Sequence, residues 1–405
     1  MIQNFINYIK EQDAKFIFLV LMLIVLPSLE APKNLFAVLF VISWVFISKR
    51  EKSWGGEWML IDTILLLWIV ADVVVGVNAI IAHELPANGS KDIIKFILVG
   101  WAVSRSSFDT RQMIFLIVTA VIFSIIPLVE SYTNGKHYIE LNSVGHVNHT
   151  AIYLLTAYIL SISLIIFNFS NMSNAQRFVL TISTIILAYV VVDTNSRAAS
   201  GMLVMFSLML LLYAIYYYKN NILTMAIIML ISLTALLVAN NPPQVVNKFI
   251  NGTNLIGDSP REKIRAHSYY VFRISPVLGV GFGNYVHFGH DEIKDFVISD
   301  KGVYDSSKFI PSAHPHNVFY TYLISGGLIM FSVFVLFWLK ILQIIYSVHK
   351  NSNEKFLVFS GIGVVMTVLG IGYVNTTLAH EHALLAMFVL GLIVSKYREF
   401  GQNLK

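Results

Sequence analysis

The sequence has no cysteine among its 405 residues, which removes disulfides, thiolate nucleophiles and thiolate metal ligands from consideration. Charge is scarce too: 13% of residues are charged, against about 25% in soluble domains. Long polar stretches are missing as well, apart from one between residues 241 and 317. In their place stand apolar runs of roughly 15–25 residues, the length that crosses a bilayer. With 56% hydrophobic residues and a mean hydropathy of +0.70, a soluble fold would need an unusually large core. The formal net charge of +5 does not mark a nucleic-acid binder. Lys and Arg are scattered through short loops, as membrane topology requires, and form no stripe along a helix. The expected fold class is an all-α polytopic membrane protein, with membrane lipids and no nucleic acid as its surroundings.

Twelve apolar segments are expected, at 16–29, 35–48, 58–82, 93–103, 113–129, 151–169, 178–192, 199–218, 222–239, 318–348, 356–374 and 378–394. Those at 16–29, 35–48 and 93–103 are short for a hydrocarbon core of about 30 Å. The first is taken as a membrane segment and not a signal peptide, because no small-residue cleavage site precedes Glu30-Ala31-Pro32. Orientation follows from the basic residues of the short loops. One set of loops, from Lys10 and Lys15 through Lys49, Arg105 and Lys350 to Arg398 and Lys405, carries fourteen. The alternate set carries four: Lys33, Lys91, Lys136 and Arg197. That bias puts both termini in the cytoplasm and the polar stretch on the periplasmic side or its equivalent. The expected organisation is transmembrane helices one to nine in 1–240, one large periplasmic loop in 241–317, and helices ten to twelve with a cytoplasmic tail in 318–405. Within the loop, 262–272 reads as an amphipathic helix with Ser259 as N-cap and Pro260 in its first turn. Pro276 closes it, and 291–297 reads as a second short helix.

Few polar groups remain for chemistry. Arg197 stands at the outer mouth between the seventh and eighth segments, where this chain otherwise avoids Arg; a snorkelling cap is the plain alternative. Arg261 and Arg265 are four apart and share a helix face, forming a cationic rim with Lys263. Such a rim suits an anionic lipid surface or a diphosphate, which the planar guanidinium binds well. His314 and His316 flank Pro315 in an extended stretch that can present either ring, and imidazole accepts a proton readily near neutral pH. A metal site is the rival reading, since His287, His290, Asp291 and Glu292 share the loop. The lack of thiolates and of an H-E-x-x-H pattern counts against it. His380-Glu381-His382 reads as a second polar lining. Asp72 and Lys95 lie in or near apolar segments, where charge is functional by default. Paired, they would be a transporter's feature.

Three motifs, in order, resemble the O-antigen ligase and O-antigen polymerase superfamily of bacterial envelope enzymes. Asn195-Ser196-Arg197-Ala198-Ala199 is similar to the family's Ser-Arg motif at a periplasmic helix mouth. Arg261, followed at Pro276-Val277-Leu278-Gly279-Val280-Gly281-Phe282-Gly283-Asn284, is similar to the family's Arg, amphipathic helix and P-L-x-G-x-G-x-G-N turn. His314-Pro315-His316-Asn317, with Tyr320 and Gly326-Gly327-Leu328 after it, resembles the H-x-H-N motif that leads into a helix. Two positions depart: Arg265 stands where the family usually has an aromatic, and Val-Leu replaces Leu-Leu after Pro276.

The resemblance implies an O-antigen ligase of lipopolysaccharide biosynthesis in the bacterial inner membrane. It would transfer polysaccharide from undecaprenyl diphosphate to lipid A–core at the periplasmic face, by an inverting mechanism without metal or other cofactor. Arg197, Arg261 and Arg265 would hold the diphosphate and stabilise the charge that builds on it. His316, or His314 as second choice, would take the proton from the acceptor hydroxyl. An O-antigen polymerase using the same donor is the nearest alternative. A lipid-linked sugar flippase is the more distant one.

Overall fold

A computed structural model describes residues 13–133, 139–217 and 260–403. The expected segment at 222–239, the N-cap Ser259 and Lys136 lie outside the described residues. Thirteen α-helices make up the described chain, which contains no β-strand. They are α1 (Ala14–Val25), α2 (Glu30–Glu51), α3 (Leu60–His83), α4 (Ser90–Ser104), α5 (Thr110–Thr133), α6 (Val147–Asn168), α7 (Asn174–Asp193) and α8 (Arg197–Tyr217). After the gap come α9 (Pro260–Ile274), α10 (His290–Lys301), α11 (Val318–Asn351), α12 (Lys355–Val365) and α13 (His380–Asn403).

The other eleven apolar segments all fall on helices. Eight helices are long and apolar enough to cross a membrane: α2, α3, α5 to α8, α11, and α12 with its irregular continuation to Tyr373. At 12 and 15 residues, α1 and α4 reach only about 18 and 22 Å, and α13 carries Lys396, Arg398 and Glu399. The expected twelve thus resolve, among the described residues, into eight clear spans and three helices that are shorter or more charged. Helix α2 runs longer than its apolar stretch because Pro32 fits a first helical turn and Lys33 and Asn34 continue the helix.

Each end of the bundle is held by buried charge. At one end Asp62 accepts hydrogen bonds from Arg105 Nε at 2.8 Å, Trp101 Nε1 at 2.7 Å and Arg398 Nη2 at 2.5 Å. Its other oxygen accepts from the Met59 N–H at 2.8 Å. One carboxylate, wholly inaccessible to solvent, therefore clamps α3, α4 and α13. At the opposite end Lys33 of α2 pairs with Glu381 at the head of α13, both of them buried. The Lys33 ammonium also donates to Glu30 at 2.7 Å and to the Ser143 hydroxyl at 2.9 Å. The envisaged Asp72–Lys95 pair does not form. Lys95 bonds Asn34 and Asp92, each at 2.9 Å, whereas Asp72 is buried on α3 with Ser90 as polar neighbour.

Replacing Asp62 with Ala strands two buried guanidinium groups, so unfolding in detergent should become easier by about 3–5 kcal/mol. Asp62→Asn, which keeps an acceptor, should fall between. An unchanged unfolding midpoint in Asp62→Ala would show that the clamp contributes nothing.

Candidate active site

Residues 260–317, the described part of the polar stretch, fold into a cap at the Lys33–Glu381 end of the bundle. Pro260 occupies the first position of α9, and the helix stops at Ile274, two residues before Pro276. The cap has its own small core, in which Tyr270, Val271, Tyr285, Phe288 and Ile293 meet Ile324 from α11. His267 belongs to that core, bonded to the Tyr285 hydroxyl at 2.9 Å and the Gly289 carbonyl at 3.1 Å. Arg273 pairs with Asp300 and lies over the rings of Tyr270 and Phe296, joining α9 to α10. Both groups are occupied structurally.

Helix α11 breaks at Gly327, whose φ is 61° and ψ −165°. The glycine turn fills the break. Val280 and Gly281 N–H donate to the carbonyls of Ile324 and Ser325 at 2.9 and 2.8 Å. In return, Leu328 and Ile329 N–H donate to the carbonyls of Pro276 and Val277 at 2.9 and 3.3 Å. Four backbone groups released by the break are thereby satisfied. The approach leaves no room for side chains: a Cβ at Gly279 would lie 2.4 Å from the Ser325 carbonyl, and one at Gly327 2.2 Å from the Val277 oxygen. Asn78 of α3 adds a bond to the Gly279 carbonyl at 2.9 Å.

This joint fixes the head of α11. Asn317 caps it, accepting from the Tyr320 N–H at 3.0 Å and donating its amide to the Tyr373 carbonyl at 2.8 Å. His316, just before the cap, is left-handed with φ 50°. The chain therefore doubles back, and the rings of His314 and His316 sit 3.9 Å apart, centre to centre. The extended stretch does not choose between the two rings; it places them side by side.

The arginines lie beside them. Arg197 opens α8 directly after Ser196 and the left-handed Asn195, at φ 57°. Arg261, in the first turn of α9, has its pKa lowered by partial desolvation and by the charge of Arg197. His316 is lowered from 6.5 by desolvation, then by Arg261 and His146. His314 is pushed down to about 4 by desolvation and by His316, His146 and His380. Arg197, Arg261, His316 and His314 are thus brought together. Arg265, one turn on, lies over the Tyr373 ring at 5.3 Å, so it has a packing partner at the edge of the site.

Sequence reasoning passed over His146 and His149. The His149 ring lies 6.2 Å from His146, 6.3 Å from His314, 5.0 Å from His380 and 5.1 Å from His382. A signal existed: six of the twelve histidines fall in three close pairs, each at the head of an apolar segment. Those heads are helix N-termini. Helices α6, α8, α9, α11 and α13 all begin at this site, and the partial positive charge of their free N–H groups adds to that of the arginines. Among the described residues no group of three His, Cys, Asp or Glu side chains is placed to hold a metal ion.

The electrostatics carry a pH signature. Both imidazoles are held neutral where free histidine would protonate. Across the interval from 6.5 down to about 4, the folded chain therefore binds fewer protons at His314 than the unfolded chain. The stability linked to that residue is intact above 6.5 and is lost as pH falls toward 4. Ring NMR of isotope-labelled histidine should give a His316 midpoint below 6.5, and Arg261→Met should raise it. No movement on that substitution would separate Arg261 from His316.

Residues 182–335 match the family model described as O-antigen ligase. No curated protein matches the chain. The matched region runs from within α7 to within α11, taking in Arg197, Arg261, the glycine turn, both loop histidines and the helix break. The chain therefore carries the O-antigen ligase family's region at its histidine–arginine site, which supports its place in the O-antigen ligase superfamily and a ligase- or polymerase-type function.

Proposed function

We propose that the site transfers a glycan from a polyprenyl diphosphate to the hydroxyl of a second glycolipid. In the ligase form of this reading, the donor is undecaprenyl-diphosphate-linked O-antigen, the acceptor is lipid A–core, and the site faces the periplasm of the inner membrane. The observation that carries it is the placing of neutral His316 within the charge range of Arg261, which itself feels Arg197. A base and a dianion site share one end of the bundle.

His316 accepts the proton of the acceptor hydroxyl as its oxygen bonds to the anomeric carbon. The bond from that carbon to the diphosphate oxygen breaks with its electron pair leaving on the diphosphate, and the configuration inverts. Arg197 and Arg261 offset the charge arriving there, so the leaving group departs without protonation. The paired carboxylates of glycoside hydrolysis are not required. Neighbouring cations weaken His316 as a base in the empty site. A bound diphosphate cancels their field and restores its basicity, so proton removal is coupled to donor binding. His314, its ring 3.9 Å from that of His316 and tilted by 55°, is a positioning partner that becomes a base only if the acceptor approaches from its side. The polymerase reading shares every element except the acceptor.

His316→Ala should lower kcat about 10²–10⁴-fold in a reconstituted transfer assay, with expression and donor binding retained. Arg261→Ala should cost about 10²–10³-fold. Transfer should survive EDTA. Undiminished transfer by His316→Ala removes the base assignment, and strict dependence on an added divalent ion overturns the metal-free mechanism. Deleting the gene and resolving the lipopolysaccharide on a gel separates the two acceptors: complete loss of polymer on lipid A–core marks a ligase, a single-repeat band a polymerase.

A further inference from the structure

Between α2 and α4 runs a cavity of about 770 Å³ that the proposed chemistry does not use. Its rim is polar, formed by Glu30, Asn34, Lys91, Asp92, Lys95 and His380. Below the rim its walls are apolar: Val38, Val41 and Ile42 on α2, and Ile94, Leu98 and Val99 on α4. Each wall is one stripe of a helix with its polar residues at the head and hydrocarbon beneath. From Glu30 to Ile42 the α2 wall descends about 18 Å, close to the roughly 15 Å of hydrocarbon in one leaflet. Val38 and Ile42 are 53% and 57% exposed, so the groove opens sideways to the surroundings of the bundle.

The rim sets two ammonium groups, Lys91 and Lys95, beside two carboxylates, Glu30 and Asp92. Lys95 is engaged by Asp92 and Asn34, and Glu30 by Lys33. Lys91 is exposed and has no carboxylate partner among the described residues. A polar rim with an exposed ammonium that no carboxylate engages, set over an apolar slot, suits a lipid whose head brings its own phosphate to Lys91. Its position supplies the rest. His380 lines the groove and also stands 5.0 Å from His149 in the histidine cluster. From there a run of neighbouring rings leads through His149 and His314 to His316, which feels the charge of Arg261.

We propose that this groove anchors the second lipid substrate, the acceptor: a glycolipid with a phosphorylated head and hydrocarbon chains. The inference rests on the glycosyl-transfer reading above. The head lies on Lys91 and Lys95, the chains fill the slot between α2 and α4, and the glycan reaches past His380 to His316.

The test uses the full chain in proteoliposomes, with purified rough lipopolysaccharide as acceptor and a lipid-diphosphate-linked glycan as donor. Filling the slot with Val41→Trp and Leu98→Trp together should raise the KM for the acceptor about tenfold, leaving kcat and the donor KM nearly unchanged. Lys91→Glu, an exposed change that leaves packing alone, should move the same constant in the same direction. A rise in donor KM instead, or no change in either, overturns the proposal. A photo-cross-linking residue at Val38 should capture the rough lipopolysaccharide, whereas one at Leu339, similarly exposed on α11 at 59%, should not. Capture of bulk phospholipid alone at Val38 overturns it too. If the unaltered protein transfers nothing to any acceptor, the transfer reading fails, while the cross-link still reports whether the groove takes this lipid.

Discussion

A helix that crosses a membrane must satisfy its own backbone, and α11 does not. Its break at Gly327 releases carbonyls and N–H groups that cost several kcal/mol each if left bare in hydrocarbon. The glycine turn answers them one for one, with two bonds given and two received. That exchange locks the cap onto the bundle and sets the direction from which residues 314–317 enter the helix. Asn317 then converts that direction into a capped start. The positions of His314 and His316 depend on this main-chain joint more than on any side-chain contact of their own.

Charge is distributed to match. The two networks of ionic groups buried within the bundle sit at its two ends and join helices far apart in sequence. In each, opposite charges meet directly, one carboxylate between two guanidinium groups at one end and one ammonium between two carboxylates at the other, and both contribute to holding α13 in place. Arg197 and Arg261, by contrast, stand beside neutral imidazoles and the heads of five helices. A site so arranged resists protonation when empty and welcomes an anion. Its basicity therefore depends on what is bound in it.

Much of this architecture was legible in the sequence because apolar length and helix punctuation are local signals. Pro260 and Pro276 bounded α9 where they should, and the spacing of Gly279, Gly281 and Gly283 announced an unusual turn. What the turn was for could not be read there, since its partners Ile324 and Ser325 look like any other residues of an apolar helix. Lys33 reads as a loop cation, yet it is buried against Glu381, a partner hundreds of residues away. His146 and His149 escaped notice because their pairing at the head of an apolar segment gains meaning only when compared with the pairs at 314/316 and 380/382, which the fold brings to the same place. Arg265 stands over the Tyr373 ring, a contact that its own stretch does not announce because Tyr373 lies about a hundred residues further along the chain.

The core of the cap includes Ile324, a residue of a membrane helix, and the turn that completes it is bonded into that same helix. The cap is consequently not a detachable lid. Expressed alone it would lose part of its interior and half of its main-chain partners, so it has no existence as a soluble domain. Any movement of the cap must also move the head of α11, residues 318–326, and with it both histidines. A push on the cap would then be felt at His314 and His316 directly, as the rotation of one rigid body.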